Sequence, residues 1–321
     1  MAVGIKELNF SEITMSQLRT MFGKMKKSNS ASFDSISMKT LNNVKESVLP
    51  LILQLINIIN KSRIFPECLK IARIVPIRKS FLTSALSLEN YRPVNILSPL
   101  SKIVEKFWVK DILQHLKSYK LVDEIHQGGY PQRTSTITVL DIYQKLTNIK
   151  INKRKAAIIQ LDQSGAFDIV AHPILKMKLK HIGLSQNAVD TLMSYLSNRK
   201  QYVRLNSNSS ELLLTGNVSV GQGSVVSGIL YGIMTLDQNS QLHERKHSNH
   251  HEYSNCPNTH INTFVDDLFG IITEEENEDI IEKIQYFIEK LNQYYTNNQL
   301  KNNVKKSCVM IISDDINLKQ K

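Results

Sequence analysis

Apolar residues recur at helical spacing along parts of the chain, which is the pattern of helices that bury one face. The stretches that predict helices are Lys45–Ser62, 101–119, His172–His181, 223–236 and 273–295. The last is the clearest, because Thr273 and Glu276 fit a capping box and acidic residues crowd its first turns. Its apolar stripe predicts a helix that packs on the core.

Shorter apolar runs bounded by polar and turn residues predict strands. These runs are 156–162, 201–206, 211–220 and a hairpin over 261–272. Residues 64–77 carry Pro66 and Pro76, which break helices. Asp162 directly follows an apolar run, so a carboxylate is predicted at the end of a strand.

Two adjacent carboxylates, Asp266 and Asp267, lie at the tip of the predicted hairpin in the run "TFVDDLF". Asp pairs are common in turns, because their side chains bond the nearby backbone. The same tip also suits an ion that prefers hard oxygen ligands. The pattern alone leaves both interpretations open.

The composition indicates a globular protein with an excess of basic residues. The 321 residues are 41% hydrophobic, with a net charge of +11 and a pI near 9.4. A polyanion is therefore the expected partner, with a merely soluble basic protein as the alternative. Three cysteines without paired spacing predict a reducing compartment and no disulfide framework. The longest apolar run, 48–59, is too short to span a bilayer, so we expect an intracellular protein with no membrane partner.

The stretch 243–260 holds five of the nine histidines together with Cys256. Imidazole and thiolate are the usual ligands of zinc, but no complete set of ligands has the expected spacing. The surrounding Ser, Asn and Glu residues favour a solvated loop over a metal site.

Nucleotide polymerisation by two metal ions needs carboxylates that hold the ions. One ion activates the 3′-hydroxyl and the other holds the triphosphate. Asp162 ends one strand, and the pair Asp266 and Asp267 follows about a hundred residues later in a hairpin. These side chains could meet at one edge of a sheet, although the spacing alone is a weak indication.

Seven motifs, in order along most of the chain, give a much more specific indication. They are "FPECLKIARIVPIRKS" (65–80), "NYRPVNILSPLSKIVEK" (90–106), "HQGGYPQRTSTITVL" (126–140), "LDQSGAFDIVAHPIL" (161–175), "GQGSVVSGILY" (221–231), "FVDD" (264–267) and "LKNNVKKSCVMI" (300–311). The chain resembles the reverse transcriptase domain of non-LTR (LINE-like) retrotransposons. The last four motifs match motifs A, B, C and D of that family.

The resemblance implies that Asp162, Asp266 and Asp267 are catalytic and bind two Mg²⁺ ions, with Mn²⁺ as an alternative. Asp162 and Asp266 would be the direct ligands of both ions. Asp168 is a rival in the same motif, but only Asp162 directly follows the strand, so Asp168 is assigned to helix capping or structural hydrogen bonding. Lys306 would lie near the leaving pyrophosphate.

The resemblance also implies substrate-binding roles. Phe167 would press against the sugar and exclude a 2′-hydroxyl, with an ordinary core Phe as the alternative. Gln222 and Gly223 would approach the base pair and template, although glycine could equally serve a tight turn. Arg92 and Lys79 are candidates for the triphosphate, or else ordinary surface charges.

The implied fold is an α+β right-hand polymerase with fingers, a small antiparallel palm sheet backed by helices, and a thumb that is largely absent. Residues 1–150 would form an N-terminal extension and fingers, and residues 151–321 the palm with motifs A to D. Three departures from the family pattern occur, "SASFDSI" at 30–36, Gly221 in place of a proline, and Ser227 with Gly228 in place of Gly-Pro. The last two predict a looser motif B loop.

The implied function is RNA-directed DNA synthesis, in which a dNTP is joined to a primer 3′-hydroxyl on an RNA template. Contacts to phosphates would make binding strongly salt-dependent. We expect no endonuclease domain before residue 1, and complete integration is therefore not expected of the chain. The alternatives are a catalytically inactive, truncated relic that only binds nucleic acid and a non-functional fragment. The expected location is the nucleus or cytoplasm, as a ribonucleoprotein.

Overall fold

The computed structural model describes residues 5–80, 84, 86–122, 134–152, 154–205, 208–242, 259–273 and 280–312. The α-helices in this part of the chain are α1 (Met15–Gly23), α2 (Met38–Asn43), α3 (Lys45–Ser62), α4 (Pro99–Ser118), α5 (Ser135–Ile151), α6 (His172–His181), α7 (Gln186–Leu196), α8 (Ser227–Met234), α9 (Gln238–Leu242) and α10 (Ile280–Asn297). The strands are β1 (Ile71–Arg78), β2 (Tyr91–Ile96), β3 (Ala156–Leu161), β4 (Lys200–Leu205), β5 (Asn208–Ser209), β6 (Leu213–Leu214), β7 (Thr259–Phe264), β8 (Asp267–Thr273) and β9 (Cys308–Ile312).

The chain packs as two compact units, each built from two segments. Unit 1 comprises Met1–Leu121 and Val170–Leu230, and unit 2 comprises Val122–Ile169 and Tyr231–Lys321. This division is based on which residues pack together, whereas the boundary predicted near residue 150 is based on the positions of the sequence motifs. The two divisions do not coincide, because residues 170–230 pack with the N-terminal segment.

The sheet of unit 1 has the strand order β2-β1-β4-β5, and β6 also pairs with β4. β1 and β2 form an antiparallel hairpin, while β1 and β4 run parallel. Pro76 lies opposite Pro93 in the hairpin, so neither residue contributes an N–H to the ladder. The pairing continues past this point to Arg78 and Tyr91, and beyond them Lys79 N donates to Asn90 O at 2.8 Å.

The core of unit 1 centres on α3, α4 and α7. The predicted apolar stripe of α3 buries Leu49, Ile52, Ile56 and Ile59. Three fully buried rings, Phe65, Trp108 and Tyr195, have centroids 4.9 to 5.8 Å apart. Edge-to-face contacts of this kind add to the burial of a large apolar area.

The sheet of unit 2 is antiparallel, with the order β7-β8-β3-β9. One face packs on α5, where Ile149 contacts Ala156 and Ile271. The other face packs on α10, whose Phe287 ring lies against Gly270. β3 therefore runs through the middle of the sheet, and Asp162 follows its last residue.

Several predicted elements are confirmed by the structure. The helices Lys45–Ser62 and His172–His181 have the predicted bounds, and the helix predicted at 101–119 is α4. The apolar stripe predicted for the helix near the C-terminus is buried on α10. No helix in the described residues is long and apolar enough to cross a membrane.

Two predictions about elements were wrong, and a third is not tested. Thr273 ends β8 opposite Ala156, and α10 is described from Ile280. The residues between them, including Glu276 of the expected capping box, lie outside the described residues, so the capping box stays a prediction. The strand predicted at 211–220 shrinks to β6, which pairs with β4 at only two positions. The helix predicted at 223–236 spans only Ser227–Met234. Its predicted first residue, Gly223, has a positive φ, which a right-handed helix does not allow.

Candidate active site

Asp162 is held in place by the segment that precedes β9. Its Oδ2 accepts a hydrogen bond from Asn303 Nδ2 at 2.9 Å and lies 3.1 Å from Lys306 Nζ. Its backbone oxygen accepts from Asn303 N at 2.8 Å, and its backbone N–H donates to Ser307 Oγ at 3.4 Å. Side chain and backbone of Asp162 are thus both fixed by residues about 140 positions later in the chain.

Asp266 and Asp267 lie at the turn between β7 and β8, as the sequence predicted. Phe264 pairs with Asp267, which leaves Val265 and Asp266 as the two turn residues. Val265 has a φ of 58°, a conformation that is disfavoured for a β-branched residue. The turn that carries the carboxylates therefore stores backbone strain.

The register of β3 and β8 brings the third carboxylate to the same end of the sheet. Leu161 pairs with Leu268, so one further step along the antiparallel ladder places Asp162 opposite Asp267. The sheet thus collects all three predicted catalytic acids within unit 2.

The pKa of the Asp267 carboxyl is affected by the two neighbouring acids. Burial raises the pKa of the Asp267 carboxyl, and the negative charges of Asp266 and Asp162 raise it further, while Lys306 lowers it. A cation that binds oxygen would relieve this repulsion, so the donor chemistry fits a divalent ion. As they stand, no three His, Cys, Asp or Glu side chains of the described residues are grouped so that they could hold a metal ion.

Asn303 was missed as a site residue, although its signal was available. It is the Asn of the LxxNxxK pattern, in which Lys306 was singled out and Asn303 was not. Both side chains meet the same oxygen of Asp162. Lys306 is 61% exposed, whereas the Asp162 side chain is 21% exposed, so the ion pair has its cation on the solvent side.

Phe167 lies half-buried in unit 2 with its ring against a buried tyrosine. The centroids of Phe167 and Tyr231 are 5.3 Å apart with the ring planes at 37°. The Tyr231 hydroxyl donates to Gln163 Oε1, and Gln163 Nε2 donates to Tyr295 OH at 3.2 Å. Neither Tyr231 nor Gln163 was singled out from the sequence, because nothing local distinguishes them from other core positions.

Asp168 does not cap helix α6, so the helix-capping part of its assignment was wrong. The residue lies in the turn after Asp162, and its N–H donates to Gly165 O at 2.7 Å. The N-cap of α6 is Ala171, which has no capping side chain.

Arg92 and Lys79 both lie on the β1–β2 hairpin of unit 1. Arg92 lies on β2 opposite Ile77, and Lys79 directly follows the last residue of β1. Lys79 N donates to Asn90 O at 2.8 Å, so Lys79 stays beside the segment that leads into β2. The structure thus places both predicted cations in the same hairpin.

Gln222 and Gly223 pack directly on β2 of unit 1. Asn95 N donates to Gln222 O at 2.9 Å. Gly223 has a φ of +107°, and a Cβ added there would lie 2.6 Å from Asn95 O. The close approach and the backbone conformation both require glycine at this position.

The residues after Gly223 are anchored by a buried carboxylate. Glu105 is fully buried, and its Oε2 accepts hydrogen bonds from Val225 N at 2.6 Å and Val226 N at 3.4 Å. Its Oε1 accepts from Ser101 Oγ at 2.8 Å. The motif B loop, residues 221–226, is therefore tied to both β2 and α4, although its sequence predicted a looser segment.

Most of the histidine-rich stretch, residues 243–258, lies outside the described residues. His260 is described on β7, where its Nε2 lies 2.8 Å from Asp141 Oδ2. Asn262 Nδ2 donates to the same oxygen at 3.0 Å. These contacts join β7 to α5 on one face of the sheet.

Comparison with known proteins identifies the family. Residues 77–319, well over half of the chain, match the family described as "Reverse transcriptase (RNA-dependent DNA polymerase)". The chain belongs to the reverse transcriptase family. The resemblance predicted from the seven motifs is thereby confirmed.

The similar curated proteins are reverse transcriptases of mobile elements. The chain is 29% identical over 209 residues to "Probable RNA-directed DNA polymerase from transposon BS" of Drosophila melanogaster, covering 65% of this chain and 23% of that protein. It is 25% identical over 236 residues to "RNA-directed DNA polymerase from mobile element jockey" of Drosophila funebris, covering 71% and 25% respectively. The chain thus spans about a quarter of the length of these relatives.

The predicted reverse transcriptase residues fall into two groups. Unit 2 contains Asp162, Asp266, Asp267, Lys306 and Phe167. Unit 1 contains Arg92, Lys79, Gln222 and Gly223. Within each unit the predicted residues lie on elements that pair or pack together, as the registers and contacts above show.

Proposed function

We propose that this chain is an RNA-directed DNA polymerase that joins deoxynucleotides to a primer 3′-hydroxyl on an RNA template. The observation that carries the proposal is the convergence of Asp162, Asp266 and Asp267 at one end of a sheet, inside the region that matches the reverse transcriptase family. The raised pKa of Asp267 supports it, since burial and then the charges of Asp266 and Asp162 raise it.

Asp162, Asp266 and Asp267 would hold two Mg²⁺ ions, or Mn²⁺ in their place. Bound divalent ions supply the positive charge that activates the primer hydroxyl and neutralises the triphosphate. Asn303 orients the Asp162 carboxylate through the 2.9 Å hydrogen bond to Oδ2. Lys306 would place its charge, and a transferable proton, near the leaving pyrophosphate.

The remaining predicted residues would bind the nucleotide and template. The Phe167 ring would occupy the space that a 2′-hydroxyl needs. Arg92 and Lys79 lie in one hairpin and would neutralise the triphosphate. Gln222 and Gly223 would lie along the new base pair, where the absence of a side chain at Gly223 permits close approach.

The proposed architecture is that of a right-hand polymerase. The antiparallel sheet of unit 2, backed by α5 and α10, corresponds to the palm, and the β1–β2 hairpin of unit 1 belongs to the fingers. RNA template, DNA primer and dNTPs are the proposed partners, and the net charge of +11 supports binding to their phosphates. We also propose a nuclear or cytoplasmic location as a ribonucleoprotein, because Cys68 and Cys308 are exposed free thiols suited to a reducing compartment.

Primer extension tests the proposal. The chain is incubated with an RNA template, a labelled DNA primer, dNTPs and Mg²⁺, alongside the double variant Asp266→Asn, Asp267→Asn. Asp190→Asn is the matched control, because Asp190 lies on α7 in unit 1 and bonds Gln186. We expect extension by the wild type and the control and none by the double variant. Equal extension by all three proteins would refute the proposal.

One observation favours a second candidate, a protein that binds nucleic acid without catalysis. The Asp162 carboxylate, one of the three acids, is already paired with the Lys306 ammonium. Such a protein would bind primer–template in a salt-dependent manner and extend nothing at saturating dNTP and Mg²⁺. The binding measurement therefore distinguishes it from a protein that does not recognise nucleic acid.

A further inference from the structure

Phe167 has its ring supported from one side by Tyr231. Phe167 is half-buried, whereas Tyr231 is fully buried. The ring centroids are 5.3 Å apart, within the range of favourable aromatic contact. The position of the Phe167 ring is therefore limited on its inner side by Tyr231.

Tyr231 is itself fixed at its hydroxyl end. That hydroxyl donates to Gln163 Oε1, and the amide of Gln163 in turn donates to Tyr295 on α10. Gln163 is 6% exposed and directly follows Asp162. A buried network of three side chains thus connects the support of Phe167 to the strand end that carries Asp162.

The phenol of Tyr231 stays protonated and remains a donor. Burial raises its pKa well above the ordinary value, and nearby Tyr295 and Asp266 raise it further. The network therefore keeps the same hydrogen bonds throughout the pH range in which a polymerase is assayed. The network therefore holds Tyr231, and with it the Phe167 ring, in one position that does not change with pH.

A ring that excludes a 2′-hydroxyl has to be held within a fraction of an ångström, because it discriminates one oxygen atom by contact. Phe has two rotatable side-chain torsions and no polar atom of its own to fix them. We propose that Tyr231 is a specificity-determining positioning residue, which holds the Phe167 ring where it meets the 2′ position of the incoming nucleotide. This inference rests on the proposed function, since it needs Phe167 to face the sugar.

A purely structural role for Tyr231 would lower stability and overall rate but would treat deoxy- and ribonucleotides alike. The decisive quantity is therefore the ratio of kcat/KM for dATP to that for ATP, measured by single-nucleotide extension opposite uracil in an RNA template. These two nucleotides differ only in the 2′-hydroxyl. Changes in folding or in primer–template binding cancel in this ratio.

Four variants separate the contributions. Phe167→Ala removes the proposed barrier, Tyr231→Leu removes the supporting ring, and Tyr231→Phe removes only the hydroxyl. Tyr195→Leu is the matched control, because Tyr195 is equally buried but belongs to the aromatic core of unit 1. Combining Tyr231→Leu with Phe167→Ala tests whether the two residues act together.

We expect Tyr231→Leu to lower the ratio at least about ten-fold, towards the value for Phe167→Ala. The double variant should be no less selective than Phe167→Ala alone. Tyr231→Phe should lower the ratio about two- to ten-fold, which corresponds to one lost hydrogen bond, and Tyr195→Leu should leave it unchanged. If Tyr231→Leu does not fold, the ratio of kcat/KM for dATP to that for ATP in Tyr231→Phe tests the inference.

An unchanged ratio in the folded Tyr231 variants, or an effect that adds to that of Phe167→Ala, would overturn the inference. If the wild type extends no primer, the proposed function fails. The preference for dATP over ATP is then measured as the ratio of their Kd values for the protein with bound primer–template. A preference for dATP that weakens in the Tyr231 variants would then still support the inference. Equal binding of dATP and ATP by the wild type would overturn it.

Discussion

Lys306 forms an ion pair with Asp162, with Nζ 3.1 Å from Oδ2. The two residues are far apart in sequence, and Asn303 meets the same carboxylate oxygen. The pair places Lys306, a cation that lowers the pKa of Asp267, beside the carboxylates at the end of β3. Motif D is thus tied to motif A by side-chain contacts.

Replacing Lys306 with Gln should slow primer extension by on the order of a hundred-fold, because a positive charge and a proton donor near the leaving group are lost. Stability should change little, since an ion pair with an exposed lysine contributes about 0 to 1 kcal/mol. Single-turnover extension and thermal unfolding measure the two effects separately.

Lys305→Gln is the control for this variant, because Lys305 is exposed and adjacent. Both variants remove one charge from the same segment, so a general loss of phosphate attraction would affect them equally. Equal rates for the two variants would rule out a specific role for Lys306.

Gly223→Ala should destabilise unit 1 by about 1–3 kcal/mol, since the φ of +107° at position 223 is strained for any residue other than glycine. The added Cβ would also lie 2.6 Å from Asn95 O. Gly216→Ala offers a control, because a Cβ there meets nothing within 4 Å. Urea unfolding should show the loss in the first variant only. Similar midpoints for both would mean that the motif B loop does not pack on Asn95 as described.

Glu105→Leu should destabilise the protein by about 1–3 kcal/mol, because the Val225 N–H and the Ser101 hydroxyl lose their buried acceptor. Glu105→Gln should cost less, since its amide oxygen can still accept from Val225. Comparison of the two variants by urea unfolding isolates the hydrogen bonds from the packing. Equal losses would show that side-chain volume or charge, and not the acceptor, matters at this position.

His172 should make stability depend on pH near neutrality. Burial lowers its pKa from the ordinary 6.5, opposed by the hydrogen bond to Ser219 O at 2.8 Å. The unfolded chain therefore binds the proton more tightly than the folded one. The contribution of neutral His172 is present above pH 6.5 and is lost as the pH falls from 6.5 through the lowered folded pKa.

His172→Gln should flatten this part of the curve of unfolding free energy against pH. His181→Gln should leave the slope unchanged, because His181 is exposed at the end of α6. Urea unfolding of the three proteins at several pH values below 7 measures the difference. The same slope in His172→Gln and the wild type would assign the pH dependence to other groups.

Local pattern predicted some elements well because local forces set them. Helix α3 has a strong apolar stripe and is followed by Pro66, and strand β3 is a continuous apolar run, so each has a clear period and a clear end. Helix α5 was not predicted, since β-branched residues crowd its first turn. Packing of Ile149 on the sheet and the side-chain cap from Thr134 outweigh that propensity.

The motif acids were predictable because they follow apolar strands, whereas their partners were not. Asn303 reaches Asp162 across 141 positions, and a contact of this range leaves no local pattern. Glu105 lies on a helix where a charged residue would ordinarily face solvent. Only the fold shows that it is buried against the motif B loop.

Asp162 is proposed to act together with Asp266 and Asp267, and a comparison of the two carboxylates of motif A tests this directly. Single-nucleotide extension on an RNA template with Mg²⁺ is measured for the wild type, Asp162→Asn and Asp168→Asn. We expect Asp162→Asn to abolish extension and Asp168→Asn to retain it. Extension by Asp162→Asn at the wild-type rate, or its loss in Asp168→Asn alone, would show that Asp162 does not have the proposed role.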